Sequence, residues 1–173
     1  MILKQCEKDN FIRVTEFYKY SIENNLKMKE YCPWVYGKHP TDDMIKFYID
    51  NGFLYYFEED GEIIASVALT PYQDAEYREV SWSKNLKDDE VSVVHILCVN
   101  PKKRRCGVAK EVVRELISIA KESNKKGVRL DALCTNKPAH KLYEGIGFKK
   151  CDEKRWYAGN TGWIDFFLYE LNF

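Results

Sequence analysis

The 173-residue sequence lacks the features that would direct it to a membrane or a nucleic acid. It has no apolar run close to the roughly 20 residues that a membrane-spanning helix requires, and its first residues lack the apolar centre of a signal peptide. Its 27 basic and 27 acidic residues cancel, so no overall field attracts nucleic acid or an anionic membrane. We expect a cytoplasmic protein without a membrane or nucleic-acid partner, in which any anion binding is local.

The sequence also lacks internal repeats, low-complexity tracts and linkers rich in proline, glycine and serine. Its six cysteines include no CxxC pair, which argues against a zinc site and fits a reducing compartment. A disulfide framework or a thiol nucleophile stays open as an alternative. With 45% hydrophobic residues, the chain is long enough to bury a continuous core, and we expect residues 1–173 to form a single domain without a metal.

Hydrophobic periodicity predicts a short strand and two helices in the first part of the chain. The strand covers residues 2–5, the first helix runs from Asn10 onward, and Thr41 caps the second. An aromatic loop lies between the helices. Its residues are candidates for a pocket wall or for simple packing onto the core: Tyr31, Pro33, Trp34, Tyr36 and His39.

Two antiparallel hairpins are predicted from β-branched and aromatic runs. Residues 53–57 and 62–69 flank Asp60-Gly61, a dipeptide that supplies the positive φ angles of a tight turn. A second strand pair, at 148–157 and 163–171, ends the chain. Each run is therefore expected beside its neighbour in one sheet.

A strand–helix–strand unit lies between these hairpins. The apolar run 91–99 reads as a buried strand, an amphipathic helix follows, and 128–134 reads as the next strand. Such a crossover makes the two strands parallel. The predicted fold class is therefore α/β with a mixed sheet, mostly antiparallel, flanked by helices.

A glycine-containing basic segment opens the helix of this unit. A helix N-terminus presents unpaired N–H groups and a partial positive charge, and the small residues Gly107 and Ala109 allow a diphosphate to approach the backbone. Residues 102–105 add four positive side chains. The segment predicts a pyrophosphate site; an ordinary loop glycine beside a solvated basic cluster is the alternative.

These residues resemble the GNAT superfamily of acyl-CoA-dependent N-acyltransferases, whose pyrophosphate loop reads Gln/Arg-x-x-Gly-x-Gly/Ala. Arg104, Gly107 and Ala109 match that loop, and residues 132–148 resemble the second signature of the superfamily, an Asn after a strand, a helix with a Tyr, then Gly-Phe. The resemblance spans about 91–150. Neither a Walker Gly-Lys-Ser/Thr nor a GxGxxG fingerprint is present.

The resemblance implies that acetyl-CoA binds in a wedge where strands 91–99 and 128–134 splay apart. Backbone groups of the first strand would pair with pantetheine amides, the Asn136 amide would hydrogen-bond the same arm, and Ala139 would leave it room. Asn136 as a plain turn residue is the alternative. The predicted cofactor-binding residues are Leu97, Cys98, Val99, Arg104, Arg105, Cys106, Gly107, Val108, Ala109, Lys110, Asn136, Ala139 and Tyr143.

Direct acetyl transfer needs a neutral amine, a polarised carbonyl and a proton for the departing thiolate. By resemblance, Tyr143 is the candidate acid, and a backbone N–H near Cys98 or Val99 could polarise the carbonyl. His95 is the candidate base, because strand alternation is expected to place it on one face with Val93 and Leu97 and its pKa is near neutrality. A purely structural histidine is the alternative.

Two further acidic features are candidates for binding an amine. Asp131 lies mid-strand, where it could orient a substrate ammonium or His95, or form a salt bridge with Arg129. The loop 74–82 combines three carboxylates with Tyr77 and a tryptophan, and could collect a cationic amine or simply be a solvated charge run.

The predicted function is N-acetyl transfer to a small-molecule amine by a monomer or homodimer. Acetylation of a protein or peptide N-terminus, or of a lysine, is the nearest alternative. A module that binds acyl-CoA without catalysis also stays open. A nucleotide-dependent phosphotransferase is disfavoured because the Walker lysine is missing.

Overall fold

The computed structural model describes all 173 residues as one seven-stranded sheet with five helices. The strands are β1 (Ile2–Gln5), β2 (Leu54–Glu59), β3 (Glu62–Thr70), β4 (Val91–Val99), β5 (Gly127–Leu133), β6 (Lys149–Ala158) and β7 (Gly162–Asn172). The helices are α1 (Phe11–Glu23), α2 (Met28–Tyr31), α3 (Asp42–Asp50), α4 (Val108–Glu122) and α5 (Lys137–Ile146).

The strands follow the spatial order β1-β2-β3-β4-β5-β7-β6. Every neighbouring pair is antiparallel except β4 and β5, which the α4 crossover makes parallel. The predicted mixed α/β fold, with a mostly antiparallel sheet and one parallel pair, is confirmed.

Short-range signals set several element ends as the sequence predicted. The Thr41 side chain accepts a hydrogen bond from the Met44 N–H and starts α3. Asp60 and Gly61 have φ angles of 51° and 81°, which close the β2–β3 hairpin with the twist that the strands require. Gly147, with a φ of 112°, ends α5.

Helices pack on both faces of the sheet. On one face, α1 and α3 bury Val14, Tyr18, Ile45 and Tyr48, a group that we call the α1–α3 cluster. On the other face, α4 and α5 bury Val112, Leu116 and Tyr143 against β3, β4, β5 and β7, which we call the α4–α5 cluster. Burial of each large apolar side chain contributes about 1.5–3 kcal/mol before entropy is counted.

A bulge interrupts β4 at Ile96. Ser66 pairs with Cys98 but Ala68 pairs with His95, so β4 has one more residue than β3 across this interval. Ile96 has a φ of 46°, which a β-branched residue rarely adopts, and its carbonyl accepts a 2.9 Å hydrogen bond from the Tyr18 hydroxyl.

The bulge corrects one prediction about His95. Leu97 packs against the α4–α5 cluster, whereas His95 stacks on Tyr48 of the α1–α3 cluster. The expected shared face for His95 and Leu97 is wrong because the extra residue at Ile96 inverts the alternation of side chains.

The parallel pair is short. β4 and β5 pair at only three positions, Val91 with Gly127, Ser92 with Val128 and Val93 with Arg129. Beyond Val93 the two strands diverge, and the edge of β4 that faces β5 has no partner strand. The predicted splay is therefore present.

The cysteines form no cross-links. All six are free thiols, so the disulfide framework considered above is absent. No group of three or more His, Cys, Asp or Glu side chains is arranged to hold a metal ion. None of the helices combines the length and the apolar character needed to cross a bilayer.

Candidate active site

A cleft of about 980 Å³ opens where β4 and β5 diverge. The N-terminus of α4 lies at one end, and residues of α3 and the aromatic loop line the other. Of the predicted catalytic and cofactor-binding residues, only Cys106 does not line it. The predicted residues that do are His95, Leu97, Cys98, Val99, Arg104, Arg105, Gly107, Val108, Ala109, Lys110, Asn136, Ala139 and Tyr143.

The α4 end of the cleft presents a run of free backbone donors. None of the seven backbone N–H groups of residues 104–110 has a hydrogen-bond partner in the protein; the first bond of the helix runs from the Glu111 N–H to the Gly107 carbonyl at 3.1 Å. No side chain caps this helix, and Gly107 has a φ of 81°. Together with the helix dipole, these donors form a site for an anion with several acceptor oxygens.

The basic side chains beside this run differ in their contacts. Lys103 pairs with Glu59, and Arg104 Nη1 donates a 2.5 Å hydrogen bond to Asn25 Oδ1. Arg105 has no ion pair or side-chain hydrogen bond, and its φ of 63° is in the left-handed region. Arg105 and Lys110, which also has no such contact, are thus the cations of the cleft most available to an added phosphate.

The β4 edge and Asn136 line the middle of the cleft. Leu97 and Val99 pack against the α4–α5 cluster and Cys98 is buried in the α1–α3 cluster, which leaves backbone atoms at the open edge. Asn136 Oδ1 accepts a 3.3 Å hydrogen bond from the Ala139 N–H and so caps α5, while its Nδ2 has no partner. The helix-cap role and the predicted donor role are therefore compatible.

Tyr143 is buried, with its ring held on two sides. Its centroid is 5.8 Å from that of Phe148 and 6.0 Å from that of Tyr169. The hydroxyl makes no hydrogen bond within the protein. Its oxygen is not one of the fully buried unpaired atoms, so it is open to the cleft that the residue lines. Burial, followed by the negative charge of Asp131, raises the pKa of Tyr143 well above its usual value. The hydroxyl is therefore protonated at neutral pH and can donate into the cleft.

His95 is oriented by a hydrogen-bond chain. Its ring stacks on Tyr48 at 5.8 Å, and Nε2 lies 3.2 Å from Thr70 Oγ1. Thr70 donates its own proton to the Tyr72 carbonyl at 2.8 Å, so its oxygen accepts from Nε2–H, and Nδ1 is the unprotonated nitrogen. Burial lowers the pKa of His95 below 6.5, although the charge of Asp131 opposes the shift. A neutral imidazole with a free Nδ1 can accept a proton.

Asp131 faces the cleft and does not form the salt bridge with Arg129 that was considered from the sequence. Its Oδ1 accepts a 2.6 Å hydrogen bond from the Tyr77 hydroxyl, and Oδ2 has no partner in the protein. The buried Arg129 instead donates a 2.5 Å hydrogen bond from Nη1 to Gln73 Oε1, and its Nη2 lies 3.8 Å from Glu170 Oε2. One carboxylate oxygen of Asp131 is thus available to a ligand.

The loop 74–82 divides into packed aromatics and exposed acids. Tyr77 is buried, its ring 5.7 Å from that of Trp82, and the Arg129 guanidinium lies 4.2 Å from the Trp82 ring centroid. The two aromatic residues are therefore structural. The acidic residues of the loop are exposed and do not line the cleft: Asp74, Glu76 and Glu79.

The aromatic loop closes the far end of the cleft. Trp34 and His39 line this end and Tyr31 lines the cleft beside Lys27, which favours the pocket-wall interpretation for these three residues. The Asn160 side chain, in the β6–β7 turn, donates a 3.0 Å hydrogen bond to the Pro33 carbonyl and ties the loop across the cleft. This end of the cleft is thus covered by two segments far apart in sequence.

Sequence reasoning did not identify Tyr18, Tyr48 and Thr70 as parts of the site. Tyr18 and Tyr48 occupy the inward faces of predicted helices, a signal that indicates burial but not a role beside β4. Thr70, at the end of a strand, carries no signal. All three residues contact β4: Tyr18 and Tyr48 from the helices that pack on the sheet, and Thr70 from the neighbouring strand β3.

Comparison with known proteins is consistent with this geometry. Residues 21–148 match the acetyltransferase (GNAT) family. None of the curated proteins matches the sequence significantly. Among solved structures, the chain resembles a ribosomal-protein-alanine N-acetyltransferase from Brucella melitensis, with 16% identity, 100% of both chains covered and a TM-score of 0.73.

Two other solved structures are similar in fold. An acetyltransferase of the GNAT family from Streptococcus agalactiae has 14% identity and a TM-score of 0.77, with 99% of this chain and 95% of that chain covered. A Salmonella typhimurium protein, solved with its cofactor acetyl-CoA, has 15% identity and a TM-score of 0.70, with 99% and 93% covered. At these identities the structures show a common fold.

Proposed function

The chain belongs to the GNAT family of acetyltransferases, and we propose that it transfers the acetyl group of acetyl-CoA to a primary amine of a small molecule, by direct attack in a ternary complex. The observation that carries this proposal is that one cleft joins the free amides of residues 104–110 to the unpartnered Tyr143 hydroxyl. An anion site and a buried proton donor in the cleft of one splayed strand pair fit a long, phosphorylated acyl donor.

The residues present fit acetyl-CoA. The amides of 104–110 would hold the diphosphate with Arg105 beside them, and Asn136 Nδ2 and the open β4 edge would hold the pantetheine arm. When bound, acetyl-CoA supplies an acetyl group activated as a thioester.

Side chains of this protein would accept and donate the protons that the reaction transfers. His95 Nδ1 accepts a proton from the incoming ammonium, and a backbone N–H near Cys98 or Val99 polarises the acetyl carbonyl. As the C–N bond forms and the C–S bond breaks, the Tyr143 hydroxyl would donate its proton to the departing sulfur, and the second proton that the nitrogen loses on becoming an amide would restore the Tyr143 hydroxyl. Neither His95 Nδ1 nor the Tyr143 hydroxyl has a hydrogen bond to another group of the protein, so both atoms are available for these roles.

The roofed acceptor end supports a small acceptor. The aromatic loop and the β6–β7 turn meet across it through Asn160 and Pro33, which limits the space for a folded partner. A protein or peptide N-terminus is the second candidate, because the Brucella structure of similar fold is named for a ribosomal-protein alanine.

Thiol release tests the proposal. The purified chain is incubated with acetyl-CoA and either small primary amines, peptides with a free N-terminus, or N-blocked peptides that contain lysine. We expect amine-dependent release with small amines. Release with peptides alone would favour the protein substrate, and tight acetyl-CoA binding without release from any acceptor would favour a binding module.

A further inference from the structure

The two halves of the cleft differ in charge. Lys27, Lys103, Arg104, Arg105 and Lys110 line the half at the α4 N-terminus, and no lysine or arginine lines the acceptor half. There, Asp131 is the single Asp or Glu in the lining, and the two histidines have pKa values lowered by burial. The acceptor therefore meets a carboxylate and no fixed cation.

Asp131 is held in place before a ligand arrives. The Tyr77 hydroxyl donates a 2.6 Å hydrogen bond to Asp131 Oδ1. The centroid of the Tyr77 ring lies 5.7 Å from that of Trp82 and 5.9 Å from that of Trp156, so the ring is packed between the two tryptophans. Oδ2 stays free. A carboxylate oriented in this way offers a ready hydrogen-bond acceptor for an ammonium group.

The walls around this carboxylate are aromatic. Trp34, His39, Tyr48 and the stacked His95 line the same half of the cleft. Such walls suit an apolar or aromatic substituent, and their π faces also favour a cation. Their hydrogen-bond donors are neutral, so none of them supplies the positive charge that would offset a substrate carboxylate beside Asp131.

We propose that Asp131 is a specificity-determining residue that selects acceptor amines without a carboxylate next to the amino group, that is, arylalkylamines and alkylamines rather than α-amino acids. This inference rests on the proposed acetyl transfer. An α-carboxylate would lie close to Asp131, with no cation to neutralise either charge. Repulsion between like charges about 4 Å apart at a partly screened site corresponds to roughly a 10- to 10³-fold loss in kcat/KM.

Matched acceptors test the inference without altering the protein. Tyramine, tyrosine methyl ester and tyrosine share a side chain, and only tyrosine carries the α-carboxylate; cadaverine and lysine form a second pair. We expect kcat/KM to be similar for tyramine and the ester and at least 10-fold lower for tyrosine. The ester separates the effect of charge from that of bulk.

Variants then assign the discrimination to Asp131. Asp131→Asn keeps an oxygen that can accept the hydrogen bond from the Tyr77 hydroxyl. It should lower kcat/KM for tyramine, and it should reduce the ratio of kcat/KM for tyramine to kcat/KM for tyrosine at least several-fold. Glu79→Gln removes an exposed charge outside the cleft and should leave both values unchanged. Tyr77→Phe retains the Asp131 charge, so the ratio of kcat/KM for tyramine to kcat/KM for tyrosine should stay the same.

The outcomes separate this inference from the proposed function. Equal use of tyrosine and tyramine, or an unchanged ratio in Asp131→Asn, would overturn the role of Asp131 while acetyl transfer stands. Absence of thiol release with every amine and peptide, despite acetyl-CoA binding in calorimetry, would overturn both.

Discussion

Replacement of Tyr143 by phenylalanine isolates the proposed proton donor. The ring keeps its contacts with Phe148 and Tyr169, and no hydrogen bond within the protein is lost, because the hydroxyl has no partner there. The free energy of unfolding should therefore change by less than about 0.5 kcal/mol. Acetyl-CoA affinity should stay close to that of the parent.

The catalytic loss should be much larger. A positioned general acid supplies ~10²–10⁴ in rate, which corresponds to about 3–5 kcal/mol of activation free energy. Because the pKa of Tyr143 is raised, its hydroxyl is protonated throughout the neutral range, and the loss should be constant across that range. The rate is measured as thiol release in single-turnover mode, which separates the chemical step from product release.

Tyr169→Phe is the matched control. The Tyr169 hydroxyl lies 3.0 Å from His140 Nδ1 and 3.2 Å from Oε1 of the exposed Glu144, so its removal leaves the buried His140 Nδ1 unpaired. We expect it to cost about 1–3 kcal/mol of stability, or 2–4 °C in Tm per kcal/mol, with kcat preserved. If Tyr143→Phe instead lowers Tm and keeps kcat, Tyr143 is a packing residue and water protonates the thiolate.

Three further variants test the rest of the site. Gly107→Glu should abolish acetyl-CoA binding in calorimetry, whereas Gly61→Glu, also at a φ of 81° and with open space around its Cβ, should bind normally; equal affinities would remove the diphosphate from this loop. His95→Gln should lower the rate at least 100-fold. Since the neutral imidazole is the active form and its pKa is lowered, the parent's rate should fall as pH drops below 6.5, and an unchanged pH–rate profile in the variant would assign His95 to packing. Asn136→Asp keeps the cap of α5 but removes the Nδ2 donor, so Tm should hold while acetyl-CoA affinity falls about 10-fold; retained affinity would leave Asn136 as a cap alone.

Local chemistry determined the order of the elements and the run of free amides at residues 104–110. Thr41 caps a helix, Asp60 and Gly61 adopt the positive φ angles of a hairpin, and Gly147 stops α5, each through its own backbone or that of a near neighbour. The unpaired amides of 104–110 follow from where a helix begins. For these features the physical cause lies within a few residues, so a single sequence can predict them. The roles assigned to individual site residues stay predictions until the variants are measured.

Tertiary structure decided what surrounds His95 and Asp131 in the cleft. The bulge at Ile96 places His95 on the face of the sheet opposite Leu97. The Ile96 carbonyl accepts a hydrogen bond from the hydroxyl of Tyr18, which is 78 positions away in the sequence. Asp131 met Tyr77, 54 positions away, rather than its near neighbour Arg129. Periodicity reports which face a residue prefers, but it does not report an inserted residue or the partner of a buried polar group. Those depend on contacts between distant segments, whose free energies are settled only when the whole sheet and its helices pack together.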